Sequence, residues 1–194
     1  MLVTTWIKVF GAGYDALGLF MYHPPLNVLA LCVFAFGIWT LQPSTHPRTK
    51  QRGLARHQII MLGLGIPVLL AGTGILVYAK FAANRAHGYT LHGKLAIFAE
   101  LWLVAQVVLG GGSVWFNGKL FGRDPKRMWK WHRASGYALF LVFNAVLWLG
   151  VYYTSPVLTN SSSFFTLLVV YNIAPLAVMF GIYSRARLSK MPLW

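Results

Sequence analysis

Apolar residues fall in blocks of about twenty along this chain, with most polar residues gathered between them. Five blocks read as full helices, at 23–41, 57–79, 92–115, 132–153 and 164–184. Each is long enough to cross a bilayer, which takes about 20 apolar residues. The pattern predicts an all-α integral membrane protein, a helical bundle in which residues 1–194 form a single transmembrane domain. Ahead of the first block, MLVTTWIKVFGAGYDALGLFMY is broken by Lys8, Gly11, Gly13 and Asp15. Residues 1–22 read as the end of a truncated first helix, or alternatively as an interfacial segment. Pro67 and Pro175 lie inside blocks and predict bends, with neighbouring groups satisfying the freed carbonyls.

Composition strengthens this reading. Hydrophobic residues make up 57% of the chain and charged ones 10%, against about 25% charged in soluble domains. Cys32 stands alone inside an apolar block, so there is no disulfide framework and no cysteine metal cluster. It reads as a small core residue.

The net charge of +14 sets 17 Lys and Arg against Asp15, Glu100 and Asp124. In a soluble chain this would suggest nucleic acid. Here the positive charge is sorted by side, and no nucleic-acid partner is expected. With alternating spans, residues 42–57, residues 116–133 and the C-terminus share one face and carry thirteen basic residues. Lys8, Lys80, Arg85 and Lys94 lie on the other. The imbalance predicts a cytoplasmic location for the basic face and the C-terminus. The loop holding Asn160-Ser161-Ser162, a glycosylation sequon, then faces away.

Four of the six histidines share one position. His23, His57, His92 and His132 each open a block, at separations of 34, 35 and 40 residues. Because successive spans reverse direction, His23 and His92 belong to one membrane level and His57 and His132 to the other. Two pairs result, one near each face. A pair of neutral imidazoles from facing helices fills both axial positions of a haem iron, an electron-transfer arrangement. Zinc calls for three or four ligands. Glycines occur 14 to 18 residues beyond these histidines, at Gly37, Gly72, Gly110 to Gly112 and Gly150, and Gly136 sits one turn past His132. They are read as clearance for a porphyrin at the opposite level, or as ordinary close packing. His46 and His87 follow no period and read as surface residues, His87 alternatively as a substrate contact. Glu100, eight residues past His92, is the one acid well inside a block. It is a candidate for proton or electron coupling, or a partner for Trp102, Asn144 or Asn172. Trp115, Trp129, Trp131, Tyr152 and Tyr153 read as interface anchors.

His23 in HPPLN, His57 in RHQ, His92 in LHGK and His132 in WHRASGY, with the order of spans, resemble the cytochrome b-561 family over roughly residues 15 to 184. The resemblance is to its short single-domain branch. It implies a six-span fold whose central four helices hold two non-covalent b haems, one ligated by His23 and His92, the other by His57 and His132. It implies a transmembrane ascorbate-dependent monodehydroascorbate or ferric reductase. Cytoplasmic ascorbate would be the donor, with monodehydroascorbate or ferric iron the acceptor on the opposite side. Endomembrane (ER or vacuole) and plasma membrane both remain open as locations, and a homodimer is common in the family. Ascorbate is an anion. Lys50, Arg52 and Arg56 precede His57, and Lys126, Arg127 and Lys130 precede His132. They are candidate substrate residues as charge-assisted donors. The competing class is a haem-free membrane scaffold or assembly factor that retains the fold. A transporter would need more intramembrane charge than Glu100 supplies.

Overall fold

Proline sets where the helices widen. The computed structural model describes residues 1–41, 46–116, 125–187, 189 and 191, and among the described residues there are helices and turns but no strands. Helix α1 is Leu2–Ala12. The membrane-spanning helices are α2 (Tyr14–Trp39), α3 (Pro47–Ala82), α4 (Leu91–Val114), α5 (Lys126–Thr154) and α7 (Phe164–Tyr183). A short α6, Pro156–Asn160, joins the last two. Three of these segments contain a π-helical turn, at Met61–Gly65, Gly150–Thr154 and Val169–Ile173. Each turn ends two residues before a proline, Pro67, Pro156 or Pro175. A proline offers no N–H to the preceding turn and its ring crowds the carbonyl four residues back. Widening the turn by one residue moves that carbonyl aside.

Five spans were expected and five are present, with different ends. The basic stretch before His57 is helix from Pro47 onward, not loop. The helix holding His132 begins six residues ahead of it, at Lys126. Lys, Arg and Gln are good helix formers, so charge ends the apolar block without ending the helix. Lys119, Arg123, Asp124 and Lys190 lie outside the described residues. Residues 1–22 form α1 and a kinked lead into α2, with Gly13 and Gly18 at positive φ. Helix α1 docks on the bundle: Thr5 and Val9 are buried, and Thr5 Oγ1 is 3.0 Å from the Tyr171 hydroxyl on α7.

The spans pack as two antiparallel hairpins, α2 with α3 and α4 with α5. Between them lies a core of Ala30, Leu31, Phe34, Leu69, Ala99, Leu103, Leu139, Phe140 and Phe143. Phe34 and Phe143 meet across it with ring centroids 5.6 Å apart. The outer surface is apolar: Phe164 is 80% exposed and Phe81 79%. That inversion suits a chain whose surroundings are lipid.

Candidate functional site

The four histidines assemble into the two expected pairs. His23 on α2 faces His92 on α4, with ring centroids 6.2 Å apart and planes at 88°. His57 on α3 faces His132 on α5 at 6.4 Å and 84°. Each pair takes one ring from each hairpin.

The second nitrogen of each ring is held within its own hairpin. His23 Nδ1 lies 3.0 Å from the Gly72 carbonyl on α3, and His57 Nδ1 lies 3.0 Å from the Gly37 carbonyl on α2. In the other hairpin, His92 Nδ1 lies 2.9 Å from the Val146 carbonyl on α5, and His132 is bonded to the backbone of Gln106 on α4. A carbonyl only accepts, so the proton of His23, His57 and His92 sits on Nδ1. The Nε2 lone pair is then left free to bind a metal. The acceptors repeat as regularly as the histidines. Gly37, Gly72, Gln106 and Val146 come 14 or 15 residues after the histidine of their own helix, a rise of about 21 Å. That rise is the separation of the two levels.

These residues fit haem iron. A metal–nitrogen bond is about 2 Å, and a ring's width beyond each nitrogen puts two imidazoles on opposite sides of one metal roughly 6 Å apart between centroids. Both pairs have that spacing. Among the described residues no three or more His, Cys, Asp or Glu gather, so a site completed by protein ligands alone, as zinc requires, does not form.

The glycines stand where a side chain would collide with the imidazoles or with the neighbouring helix. A Cβ on Gly110 would stand 2.8 Å from His132 Cε1, and one on Gly150 would stand 3.0 Å from His92 Cε1. A Cβ on Gly37 would meet Met61 Sδ at 2.6 Å, and one on Gly72 would meet Asn27 Nδ2 at 2.6 Å. The space they leave is taken by the imidazoles and by the neighbouring helix of the hairpin.

Glu100 accepts a hydrogen bond from Thr73 on α3 at 2.6 Å. Its expected partners are engaged elsewhere: Trp102 donates to Ser135 at 2.7 Å, Asn144 to the Phe140 carbonyl at 2.8 Å and Asn172 to the Leu167 carbonyl at 2.9 Å. Glu100 opens on a crevice of about 270 Å³ between α3 and α4, lined by Leu70, Ile97, Leu101 and Val104. Lys50, Arg52 and Arg56 are exposed on the first turns of α3. Lys126 and Arg127 are exposed and Lys130 half-buried on the first turns of α5. All six therefore lie toward the end of the bundle that holds His57 and His132. His87 is exposed in the turn between α3 and α4, toward the other end, and His46 immediately precedes α3. Trp115, Trp129, Trp131 and Tyr153 are exposed near span ends, whereas Tyr152 receives a hydrogen bond from Asn172 at 2.5 Å.

Two polar side chains beside the pairs escaped the sequence reading. Asn27 Nδ2 lies 3.1 Å from His23 Nδ1 and donates to the His23 carbonyl at 2.7 Å. Gln106, 5% exposed, packs against Ser135 and His132. The available signals were Asn27's place one turn after His23, and Gln106's place 14 residues after His92.

Transmembrane reductase CYB561D2 of Homo sapiens is 31% identical over 137 residues, covering 69% of this chain and 61% of the relative. The Mus musculus protein of the same name is 30% identical over 138 residues, with the same coverage. The chain thus matches about three-fifths of the length of these curated relatives. No solved structure matches it. Residues 22–157 match the family described as Eukaryotic cytochrome b561. That stretch runs from just before His23 to just beyond α5 and includes all four paired histidines, so the chain belongs to the eukaryotic cytochrome b561 family.

Proposed function

We propose that this chain carries single electrons across a membrane by means of two b haems, one held by His23 and His92 and the other by His57 and His132. The observation that carries the reading is the pairing itself. Two hairpins present two facing imidazoles near each end of the bundle, and each ring is polarised by a backbone carbonyl behind it. When bound, the haem supplies a reversible one-electron couple. The protein's part is to fix ring orientation, raise ligand basicity through the Nδ1 hydrogen bonds and keep lipid and water out. Phe34, Phe140 and Phe143 fill the space between the two levels.

The donor is ascorbate, at the face where Lys50, Arg52, Arg56, Lys126, Arg127 and Lys130 gather. An anion is drawn to that face and held by charge-assisted hydrogen bonds. Ascorbate gives up one electron and a proton and leaves as monodehydroascorbate. At the His23 and His92 face, monodehydroascorbate takes one electron and one proton, or ferric iron takes one electron to become ferrous. By the distribution of positive charge the donor face is cytoplasmic, in an endomembrane or the plasma membrane.

The test is haem stoichiometry on purified protein, by pyridine haemochrome, followed by a rapid mix with ascorbate. Two b haems per chain, reduced by ascorbate, are expected. A folded sample made with ample haem that binds none would sink the reading in favour of a haem-free scaffold.

A further inference from the structure

One imidazole in each pair has a primary amide beside the nitrogen that points away from its partner ring. For His132 this amide is Gln106. For His23 it is Asn27, whose Nδ2 lies 3.1 Å from Nδ1. His57 has the Gly37 carbonyl at Nδ1, and His92 has the Val146 carbonyl.

The orientation of the Gln106 amide follows from a chain of contacts with a fixed direction. An indole N–H only donates, and Trp102 Nε1 donates to Ser135 Oγ at 2.7 Å. Ser135 accepts there, so its own proton is free for its other neighbour, the Gln106 side chain. Gln106 Oε1 accepts that proton, together with the Gly136 N–H at 3.3 Å. The opposite end of the amide faces the His132 carbonyl, which only accepts, so that end is the NH₂ group. It donates to the His132 carbonyl at 3.1 Å and stands 2.9 Å from His132 Nδ1, which carries the ring's proton once Nε2 is given to a metal and so does not accept from it. Gln106 is buried and Ser135 half-buried, so water does not compete for these bonds. Asn27 is fixed by a different anchor, its own bond to the His23 carbonyl at 2.7 Å.

We infer that Gln106 and Asn27 are positioning residues that set the reduction potentials of the two haems independently, one amide for each pair. The inference rests on the haem reading above. An amide N–H beside Nδ1 crowds the Nδ1 proton and weakens its bond to the backbone carbonyl. The imidazole is then less basic, donates less charge to the iron and favours the reduced state. Each pair thus has one ring with a carbonyl alone and one ring tempered by an amide. The amide is the element that substitution can change without touching a ligand.

The experiment is a redox titration of the full chain in detergent, with the highest g value of the ferric low-spin signal as a second readout. Gln106→Leu is expected to lower the potential of the haem that is lost in His57→Ala and leave the other where it was. Asn27→Leu is expected to do the reverse. Trp102→Phe removes the donor that orients the relay. It should move the same potential as Gln106→Leu by a smaller amount, and it keeps the inference testable should the Gln106 variant fail to fold. Unchanged potentials in these variants, with two haems bound, would overturn the inference and leave the haem reading standing. Equal shifts of both potentials would also overturn it, since general loosening of the bundle has no reason to choose one site. A protein that binds no haem, or retains both after His57→Ala and His23→Ala, would overturn the haem reading and this inference with it.

Discussion

His57 Nδ1 lies 3.0 Å from the Gly37 carbonyl, and twenty residues of chain, most of a helical hairpin's turn, separate the two. The reciprocal contact from His23 to Gly72, also 3.0 Å, closes the same hairpin at its other end. The α2–α3 hairpin therefore orients its own two imidazoles before either meets a partner ring. A site that must hold its ligands in one rotamer gains from hydrogen bonds that exist whether or not the metal is present.

Replacing one histidine should remove one haem. His57→Ala or His132→Ala is expected to lower haem content from two to one and to slow reduction by ascorbate at least tenfold. His23→Ala or His92→Ala should also halve the haem while leaving fast reduction of the haem that remains. Haemochrome assay and stopped-flow absorbance check both. Full haem content in mutants of both pairs would refute the assignment.

Gly110→Ala tests the clearance around His132. The new Cβ would stand 2.8 Å from Cε1 of the ring, and overpacking of this kind costs about 1–3 kcal/mol. We expect a lower affinity for one haem and a lower Tm. Gly181→Ala is the control, because nothing lies within 4 Å of the added atom. Equal effects from the two substitutions would mean that helix stiffness, not the imidazole, is responsible.

Thr73→Val removes the hydrogen bond to Glu100 while keeping the shape of the side chain. A polar group left unsatisfied out of water costs about 1–3 kcal/mol. Thermal unfolding in detergent should show a loss of that size, and Glu100→Gln should lose less because an amide costs less to bury than a carboxylate. A Thr73→Val protein as stable as the parent would mean that Glu100 finds another donor.

Charge reversal on the basic face separates substrate binding from topology. Arg52→Glu with Arg56→Glu is expected to raise the KM for ascorbate about tenfold, the worth of one charge-assisted hydrogen bond, with kcat little changed. The effect should shrink at high salt, as screening weakens attraction to exposed charges. An unchanged KM would assign these arginines to orientation in the membrane alone.

The α1 contact gives a stability prediction away from the haems. Thr5→Val breaks the 3.0 Å bond to the Tyr171 hydroxyl in a buried setting. A loss of about 1–2 kcal/mol is expected, seen as a lower Tm with unchanged haem spectra. A change in either haem spectrum would show that α1 supports the site directly.

The sequence displayed the four paired histidines because their phase is written in side chains. His23, His57, His92 and His132 each stand at the start of an apolar block, and reversal of direction alone pairs them. What holds them was hidden for the opposite reason. Gly37, Gly72 and Val146 act through backbone carbonyls, which every residue carries. Gln106 sits within an apolar block, where one amide reads as an isolated polar residue. The glycines were visible, but their neighbours were not. Gly110 and Gly150 read as clearance for a porphyrin or as close packing, and only the fold shows that the nearest atoms belong to His132 and His92 on the other helix of the hairpin. Helix ends lie beyond the apolar blocks where hydropathy and helix propensity part company, as in Pro47–Ile60, whose Arg48, Lys50, Arg52 and Arg56 interrupt the apolar pattern without interrupting the helix.

Each pair draws one ring from the first hairpin and one from the second, and this imposes an order in time. A chain made from its N-terminus has His23 and His57 in place once α3 has inserted, yet neither has a facing ring. Insertion of α4 brings His92 and completes the pair with His23. The pair of His57 and His132 must wait for α5, some 40 residues further along the chain. At a synthesis rate of about 5–20 residues per second, that delay lasts seconds. For that interval the nascent protein has one finished site and one half-built, and the half-built site is the one at the basic face.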